Sequence, residues 1–169
     1  SKENPEEFTS FITKNLEGGS PLLFFMGDVD PYQLKGEGDG RINILLIGIG
    51  GKNHPGGQLA DTIEVLSIDP KDKSAAMLSI PRDLRVPIPG YGYGKINSVH
   101  STGVSNKKET GGGPEFLKKV TSQILDLPIH YYVRIDFQGF VEFIDALGGI
   151  DINVPEKIYD VYYPDEQMK

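Results

Sequence analysis

One apolar run constrains the fold of this chain more than any other feature. Residues Ile42 to Ile47 are almost wholly aliphatic, and Gly48 follows them at once. Such a run, too short for a long helix and closed by glycine, is typical of a strand buried inside a sheet. A glycine-rich loop extends from Gly48 to Gly57. The sequence therefore predicts a buried strand that ends in a loop at the start of the main domain.

Other segments complete an alternating pattern of strands and helices. Two strands, over 62–68 and 74–80, are predicted to form a hairpin through the turn at 69–73. Residues 87–94 are rich in Pro and Gly and are predicted to be an irregular loop. Further predicted elements are a short helix over 96–104, a polar linker over 105–113, helices over 114–125 and 137–147, and strands over 129–135 and 150–154. The predicted fold class is α/β, a mixed β-sheet flanked by helices in an α/β/α arrangement.

The domain organisation is predicted to divide at residue 40. Residues 1–40 are interpreted as an N-terminal extension with one helix over 5–16, because its apolar residues recur at helical spacing. Residues 41–169 form the main domain. The segment from Tyr162 to Lys169 resembles an interrupted loop, so this domain is expected to be truncated at its C-terminus. We expect the extension to cover the sheet or the entrance of the site.

Composition excludes several function classes. The chain has 169 residues, with 17 basic and 24 acidic side chains and a net charge of -7. An acidic surface argues against nucleic acid as a partner, because nucleic-acid binding needs a basic face. The absence of cysteine excludes disulfides and thiolate chemistry. No apolar stretch reaches the roughly 20 residues that a membrane span needs, so any membrane attachment is expected through a segment absent from this chain.

Asp61 and Arg82 are the strongest candidates for chemistry. Asp61 stands where the glycine-rich loop meets a strand, and its carboxylate is suited either to Mg²⁺ or to hydrogen bonds with the loop backbone. Arg82 follows a buried strand in the sequence Ser79 to Asp83. Its planar guanidinium can hold a phosphate with two hydrogen bonds, or it can form an ion pair with Asp61 or Asp83. Arg85 is a second cation close by.

A second candidate region is the aromatic loop that precedes the helix at 96–104. It runs from Gly90 to Asn97 and contains Tyr91, Tyr93 and Lys95. A helix N-terminus attracts anions, and Lys95 would strengthen that attraction. The alternative is that the loop only covers the core. The three histidines have no metal-ligand spacing, and the glycine-rich loop does not match a dinucleotide-binding fingerprint.

Taken together, these segments resemble the LytR-CpsA-Psr (LCP) family in order and spacing. The resemblance covers roughly residues 41–166. The blocks that carry it are Arg41–Gly48, Asp61-Thr62, Leu78–Asp83, Gly92–Asn97, Pro128–Phe140 and Asp145–Val154.

The resemblance implies a function at the bacterial cell envelope. LCP proteins are phosphotransferases that move a glycopolymer, such as teichoic acid or capsule, from a polyprenyl-pyrophosphate carrier to a peptidoglycan acceptor. They are anchored in the cell membrane with the catalytic domain on the extracytoplasmic face. The lipid tail lies in an apolar tunnel, and arginines together with Mg²⁺ hold the pyrophosphate at its mouth. Such chemistry depends chiefly on positioning and on neutralising charge at the phosphate oxygens.

The resemblance also implies roles for individual residues. Asp61 matches the aspartate linked to Mg²⁺, and Arg82 matches the phosphate-binding arginine, which Asp83 would orient. Lys95 and Asn97 match the block that lines the head-group site, with Arg85 as a further substrate-binding cation. Four apolar residues are candidates for tunnel lining, with ordinary core packing as the favoured alternative: Phe116, Val120, Phe140 and Ile144.

Three departures from the family pattern keep a second hypothesis open. Many relatives have an aspartate where this chain has Gly50, and an arginine where it has Leu59. Relatives also continue beyond the Tyr162–Asp165 segment to further phosphate-binding arginines. The alternative function is therefore a non-catalytic module that binds polyprenyl phosphate or a wall polymer without transferring it. A purely structural surface domain, with no lipid binding, is the third class.

Overall fold

The computed structural model describes residues 40–156 and residue 159. Almost all of the predicted extension over 1–40, including its helix over 5–16, lies outside the described residues, and so does the terminal segment over 162–169. The elements in the described part are β1 (Ile42–Ile49), β2 (Ala60–Asp69), β3 (Ser74–Ser79), β4 (Arg85–Ile88), β5 (Gly92–Lys95), α1 (Asn97–Ser105), α2 (Lys107–Thr110), α3 (Gly113–Leu125), β6 (Tyr131–Asp136) and α4 (Phe137–Ala146).

Four strands form a mixed sheet with the order β3-β2-β1-β6. Strand β1 pairs antiparallel with β2 and parallel with β6, while β2 and β3 form the predicted antiparallel hairpin. These directions bring the ends of β1, β3 and β6 and the start of β2 to one edge of the sheet, which we call the site edge. The predicted fold class, a mixed sheet with flanking helices, is confirmed.

The core lies between one face of this sheet and helices α1 and α3. Alternate residues of β1 are buried on that face, namely Leu45, Ile47 and Ile49. They belong to one apolar cluster with Val99 of α1 and Leu117 of α3. The apolar residues of α3 recur at helical spacing on a single side, as the sequence predicts. Packing of that side on the core stabilises the helix.

The four residues considered for tunnel lining separate into two pairs. Phe116 and Val120 of α3 are buried in the core cluster, which confirms for them the alternative of core packing. On α4, Phe140 is half exposed and Ile144 is partly buried. Within the described residues, no helix has the length and apolar character needed to cross a membrane.

Three predictions about local structure were wrong. Residues 87–94, predicted as a loop, belong mostly to the β4–β5 hairpin, whose turn is made possible by Gly90 at φ +82° and Gly92 at φ +78°. The predicted linker over 105–113 contains the short helix α2. Residues 150–154 do not form the predicted strand, because no described strand pairs with them, and Ile152 is 71% exposed.

The glycine-rich loop between β1 and β2 is closed by its own backbone. The Gly51 N–H donates to the Gly57 carbonyl at 3.0 Å, and the Gly57 N–H donates to the His54 carbonyl at 2.9 Å. A Cβ at position 57 would overlap the Gly51 carbonyl oxygen, so glycine is required there. The loop is therefore a compact structure that leads directly from β1 to Asp61.

His100 of α1 anchors this loop from inside the core. It is fully buried, and its Nδ1 lies 2.8 Å from the Gln58 carbonyl oxygen, to which a protonated Nδ1 donates. Its Nε2 has no hydrogen-bond partner among the described residues, and a Cβ on Gly113 would lie 2.7 Å from it. Burial lowers the pKa of His100, the nearby Arg134 charge lowers it further, and the Gln58 carbonyl opposes both.

The burial of His100 predicts a loss of stability at acid pH. The folded protein therefore takes up a proton on this imidazole at a lower pH than the unfolded chain does, where the pKa has its ordinary value of 6.5. The free energy of unfolding should therefore have its full value above pH 6.5. It should fall as the pH drops below 6.5, by up to about 1.4 kcal/mol per pH unit. Urea unfolding at pH 7.5 and pH 5.5 measures this change.

His100→Asn should reduce that pH dependence, because the Asn side chain can still donate to the Gln58 carbonyl but does not titrate. Its stability at pH 7.5 should fall, since a smaller side chain leaves a cavity. The exposed Ser105 gives the control, and Ser105→Ala, which changes no titratable group, should keep the parent's pH dependence. An unchanged pH dependence in His100→Asn would contradict the assignment.

Close packing of α1 against α3 predicts a second effect on stability. A Cβ at Gly103 would lie 2.8 Å from the Gly112 carbonyl oxygen and 2.9 Å from Cβ of Phe116. Gly103→Ala should therefore lower the free energy of unfolding by about 1–3 kcal/mol, although alanine favours a helix. The exposed Ser105 in the same helix provides the control, Ser105→Ala. Equal urea midpoints for the two variants would show that the helices can separate without cost.

Candidate functional site

The site edge brings Asp61 and Arg82 together. Asp61 is the extra residue of a β-bulge, since Gly48 pairs with Thr62 while Ile49 pairs with Ala60. Such bulges redirect a side chain at the edge of a sheet. Arg82 lies just beyond the end of β3, and its Nη1 donates to Oδ1 of Asp61 at 2.7 Å. Of the alternatives for these two residues, the structure contains the ion pair between them.

This ion pair holds the two side chains in place only weakly. The side chain of Arg82 is 56% exposed and that of Asp61 is 37% exposed. Pairs so open to water contribute about 0–1 kcal/mol to stability. An anionic ligand can therefore draw the guanidinium away from the carboxylate at little cost in free energy.

A second ion pair lies beside the first. Nζ of Lys95 is 2.6 Å from Oδ1 of Asp83, and both side chains are more than half exposed. The hydrogen bond and charge of Lys95 lower the pKa of Asp83, and the Arg82 charge acts in the same direction. Asp83 was expected to orient Arg82; its carboxylate pairs instead with Lys95, because the β5 strand brings Lys95 next to the turn after β3.

Backbone hydrogen bonds connect the two parts of this region. The Asn97 N–H donates to the Arg82 carbonyl at 3.1 Å, and the Ile96 N–H donates to the Leu84 carbonyl at 2.8 Å. Asn97 is buried, so it supports Arg82 through its backbone at the start of α1. Arg85 stands directly opposite Lys95 in the β4–β5 hairpin. Five of the six predicted site residues are thus joined by ion pairs or backbone hydrogen bonds, and Arg85 adjoins them.

The described residues of the site offer a metal ion few ligands. No group of three or more His, Asp or Glu side chains in the described part of the chain is arranged to hold a metal ion. Asp61 offers one carboxylate, whose Oδ1 accepts from Arg82. Mg²⁺ commonly binds one or two carboxylates, several waters and the phosphate oxygens of a substrate. The donor set therefore fits Mg²⁺ that arrives with a phosphate ligand, and it does not form a cage of protein ligands.

The sequence does not indicate that His54 lies beside Gly50. A Cβ at position 50 would lie 2.9 Å from Cγ and Nδ1 of His54, so the imidazole occupies the space of a side chain there. The ring also meets Phe137 edge-on at 5.4 Å, and its Nδ1 lies 2.9 Å from the Pro55 carbonyl oxygen. An aspartate at position 50 would need a different placement of His54. The only signal in the sequence was a glycine and a histidine in one loop.

The chain is similar to a protein named as a teichoic acid transferase and to one named as a regulatory protein. It is 40% identical over 112 residues to the polyisoprenyl-teichoic acid–peptidoglycan teichoic acid transferase TagU of Oceanobacillus iheyensis, covering 66% of this chain and 34% of TagU. It is 38% identical over 131 residues to the regulatory protein MsrR of Staphylococcus aureus, covering 75% of this chain and 37% of MsrR. The chain thus spans about a third of the length of these relatives.

Solved structures show the same fold. The LytR-CPS2A-psr family protein YwtF (TagT) with bound octaprenyl pyrophosphate lipid superposes with a TM-score of 0.57 at 30% identity, over 78% of this chain and 46% of that one. TagV of B. subtilis superposes with a TM-score of 0.57 at 36% identity, over 68% of this chain and 43% of TagV. The model of the LytR_cpsA_psr family matches residues 12–168, and this protein therefore belongs to the LytR-CpsA-Psr family.

Proposed function

We propose that the protein transfers a glycopolymer from a polyprenyl-pyrophosphate carrier to peptidoglycan. The observation that carries this proposal is the pair of exposed ion pairs at the site edge, Arg82 with Asp61 and Lys95 with Asp83. They supply cations that an incoming pyrophosphate can bind, within a chain whose net charge is -7. Phosphoryl transfer needs mainly such positioning and neutralisation of charge.

In this mechanism the residues of the site edge position the pyrophosphate. Arg82 leaves Asp61 and donates two hydrogen bonds to the phosphate oxygens, while Lys95 and Arg85 act as further cations. A sugar hydroxyl of peptidoglycan attacks the phosphorus nearer the glycopolymer. The new P–O bond forms as the bridging P–O bond breaks, polyprenyl phosphate leaves with the electron pair, and the hydroxyl proton passes to water or to the leaving phosphate. When bound, Mg²⁺ held by Asp61 would neutralise charge on the phosphate oxygens.

The relatives support the substrate class. TagU is named as a transferase of teichoic acid from a polyisoprenyl carrier to peptidoglycan, and the YwtF (TagT) structure contains octaprenyl pyrophosphate. A carrier lipid resides in the membrane and peptidoglycan lies outside it. We therefore place the protein at the extracytoplasmic face of the cell membrane, attached through a segment other than those described.

One feature favours a second candidate function, that of a non-catalytic module that binds the lipid phosphate or a wall polymer. At position 50 this chain has glycine, with the His54 ring beside it, and so lacks the aspartate that the family resemblance implies there. Binding of the carrier without delivery of the polymer to peptidoglycan would identify this function. The variants below separate the two hypotheses.

Arg82→Ala should abolish most transfer. The variant loses the guanidinium that binds the phosphate, and loss of one such donor lowers a rate by on the order of 100-fold. The assay follows delivery of a labelled lipid-linked glycopolymer to peptidoglycan, together with binding of the carrier. Arg41 pairs with Asp69 at the opposite edge of the sheet, so Arg41→Ala is the control and should retain transfer. Full transfer by Arg82→Ala would refute the proposed site, and carrier binding without transfer in the parent would favour the binding module.

Asp61→Asn should distinguish the binding of phosphate from the binding of Mg²⁺. Without the carboxylate, Arg82 is no longer partly neutralised, so inorganic pyrophosphate should bind at least as tightly as to the parent in the absence of Mg²⁺. Added Mg²⁺ should strengthen pyrophosphate binding to the parent and not to the variant. Calorimetric titrations with and without Mg²⁺ measure both effects. An equal Mg²⁺ effect in parent and variant would place the metal elsewhere.

A further inference from the structure

The β4–β5 hairpin has two chemically different faces. Its register pairs Arg85 with Lys95, Val86 with Gly94, Pro87 with Tyr93 and Ile88 with Gly92. Because side chains alternate along a strand, Val86 and Ile88 point into the core, where they are 2% and 6% exposed. The opposite side, which we call the hairpin outer face, carries four exposed side chains: Arg85, Pro87, Tyr93 and Lys95.

Tyr93 is the most exposed aromatic residue of this hairpin, at 71%. Gly92 and Gly94 flank it, so neither neighbour has a side chain that could shield the ring. Tyr91 behaves differently, since its ring meets Phe116 edge-on at 6.0 Å and its hydroxyl donates to Glu109 at 3.2 Å. Tyr91 thus serves the packing of the fold, whereas the ring of Tyr93 is open to a ligand.

The position of Tyr93 relates it to the phosphate-binding cations. It lies two residues before Lys95 on the same face of β5, a separation of about 7 Å along a strand. Lys95 reaches Asp83, the neighbour of Arg82. Arg85 stands opposite Lys95 in the hairpin, so two cations lie side by side at the end of this face. The distance from a phosphate bound near Lys95 to the Tyr93 ring would therefore be about the width of one sugar ring.

We propose that Tyr93 is a carbohydrate platform on which the sugar attached to the donor phosphate stacks. This inference rests on the proposed function and identifies the part of the protein that recognises the glycan. The C–H groups of a sugar ring carry partial positive charge and are attracted to the negative face of an aromatic ring. Arg85 and Lys95 hold the phosphate on the adjoining part of the hairpin outer face, so that one surface binds both halves of a sugar phosphate.

The test measures, by NMR titration of the full chain, the binding of two probes, N-acetylglucosamine 1-phosphate and inorganic phosphate. Tyr93→Ala should weaken binding of the sugar phosphate roughly fivefold, as expected for one stacking contact, and leave binding of inorganic phosphate unchanged. Tyr93→Phe keeps the ring and should bind like the parent. Tyr93→Leu keeps apolar area without the ring and should resemble Tyr93→Ala. Because Tyr93 is 71% exposed, these variants should keep the fold.

Several results would overturn the inference. Unchanged affinity for the sugar phosphate in Tyr93→Ala would show that no sugar stacks there, and an equal loss for both probes would assign Tyr93 to the phosphate site. If Tyr93→Ala lost binding to phosphatidylglycerol vesicles but not to the sugar phosphate, the ring would contact the membrane instead. If the parent bound neither probe, the proposed phosphate site would be refuted, and the carbohydrate platform, which depends on it, would be refuted as well.

Discussion

The pairing of β1 on both of its edges is the constraint on which the rest of the structure depends. Because β1 runs antiparallel to β2 and parallel to β6, every backbone group in its middle can be satisfied while Leu45 and Ile47 are buried on one face. The same directions decide where the chain can place polar groups. They bring the loop after β1, the start of β2 and the turn after β3 to a single edge, where charged residues meet solvent.

At that edge, the protein keeps its cations in exposed pairs with carboxylates. Burying Arg82 or Lys95 would cost several kcal/mol in lost hydration, whereas pairing them in water costs almost nothing. The pairs therefore keep the cations near their working positions without fixing them there. A phosphate ligand with more than one negative charge can outcompete a single carboxylate, which makes the site responsive to its ligand.

The loop between β1 and β2 shows how one position depends on another. Gly50 leaves room for the His54 ring, and the buried His100 holds the loop through the Gln58 carbonyl. A histidine that is fully buried and incompletely hydrogen-bonded lowers stability in acid, so its placement has an energetic cost. In return, the hydrogen bond from His100 fixes the course of the loop that leads to Asp61, and the position of Asp61 in the bulge depends on where this loop ends.

Local patterns in the sequence specify several elements of the fold. The aliphatic run of β1, the turn between β2 and β3, and the one-sided apolar residues of α3 depend on spacing alone, and the structure confirms them. The motifs around Asp61 and Arg82 also indicated the region of the site and the family. These features were predictable because helix and strand periodicity and turn chemistry act over a few neighbouring residues.

The contacts between residues far apart in the chain depend on tertiary packing. The glycines and prolines of residues 87–94 predict a loop, but the β4–β5 hairpin forms because each strand finds a hydrogen-bonding partner in the other. Residues 150–154 have the pattern of a strand and no described strand to pair with, so they are not one. The partners Asp61 and Arg82 are 21 residues apart in the chain, and their contact depends on a bulge and on the direction of β3. Contacts at such separations follow from packing, which local sequence patterns do not specify.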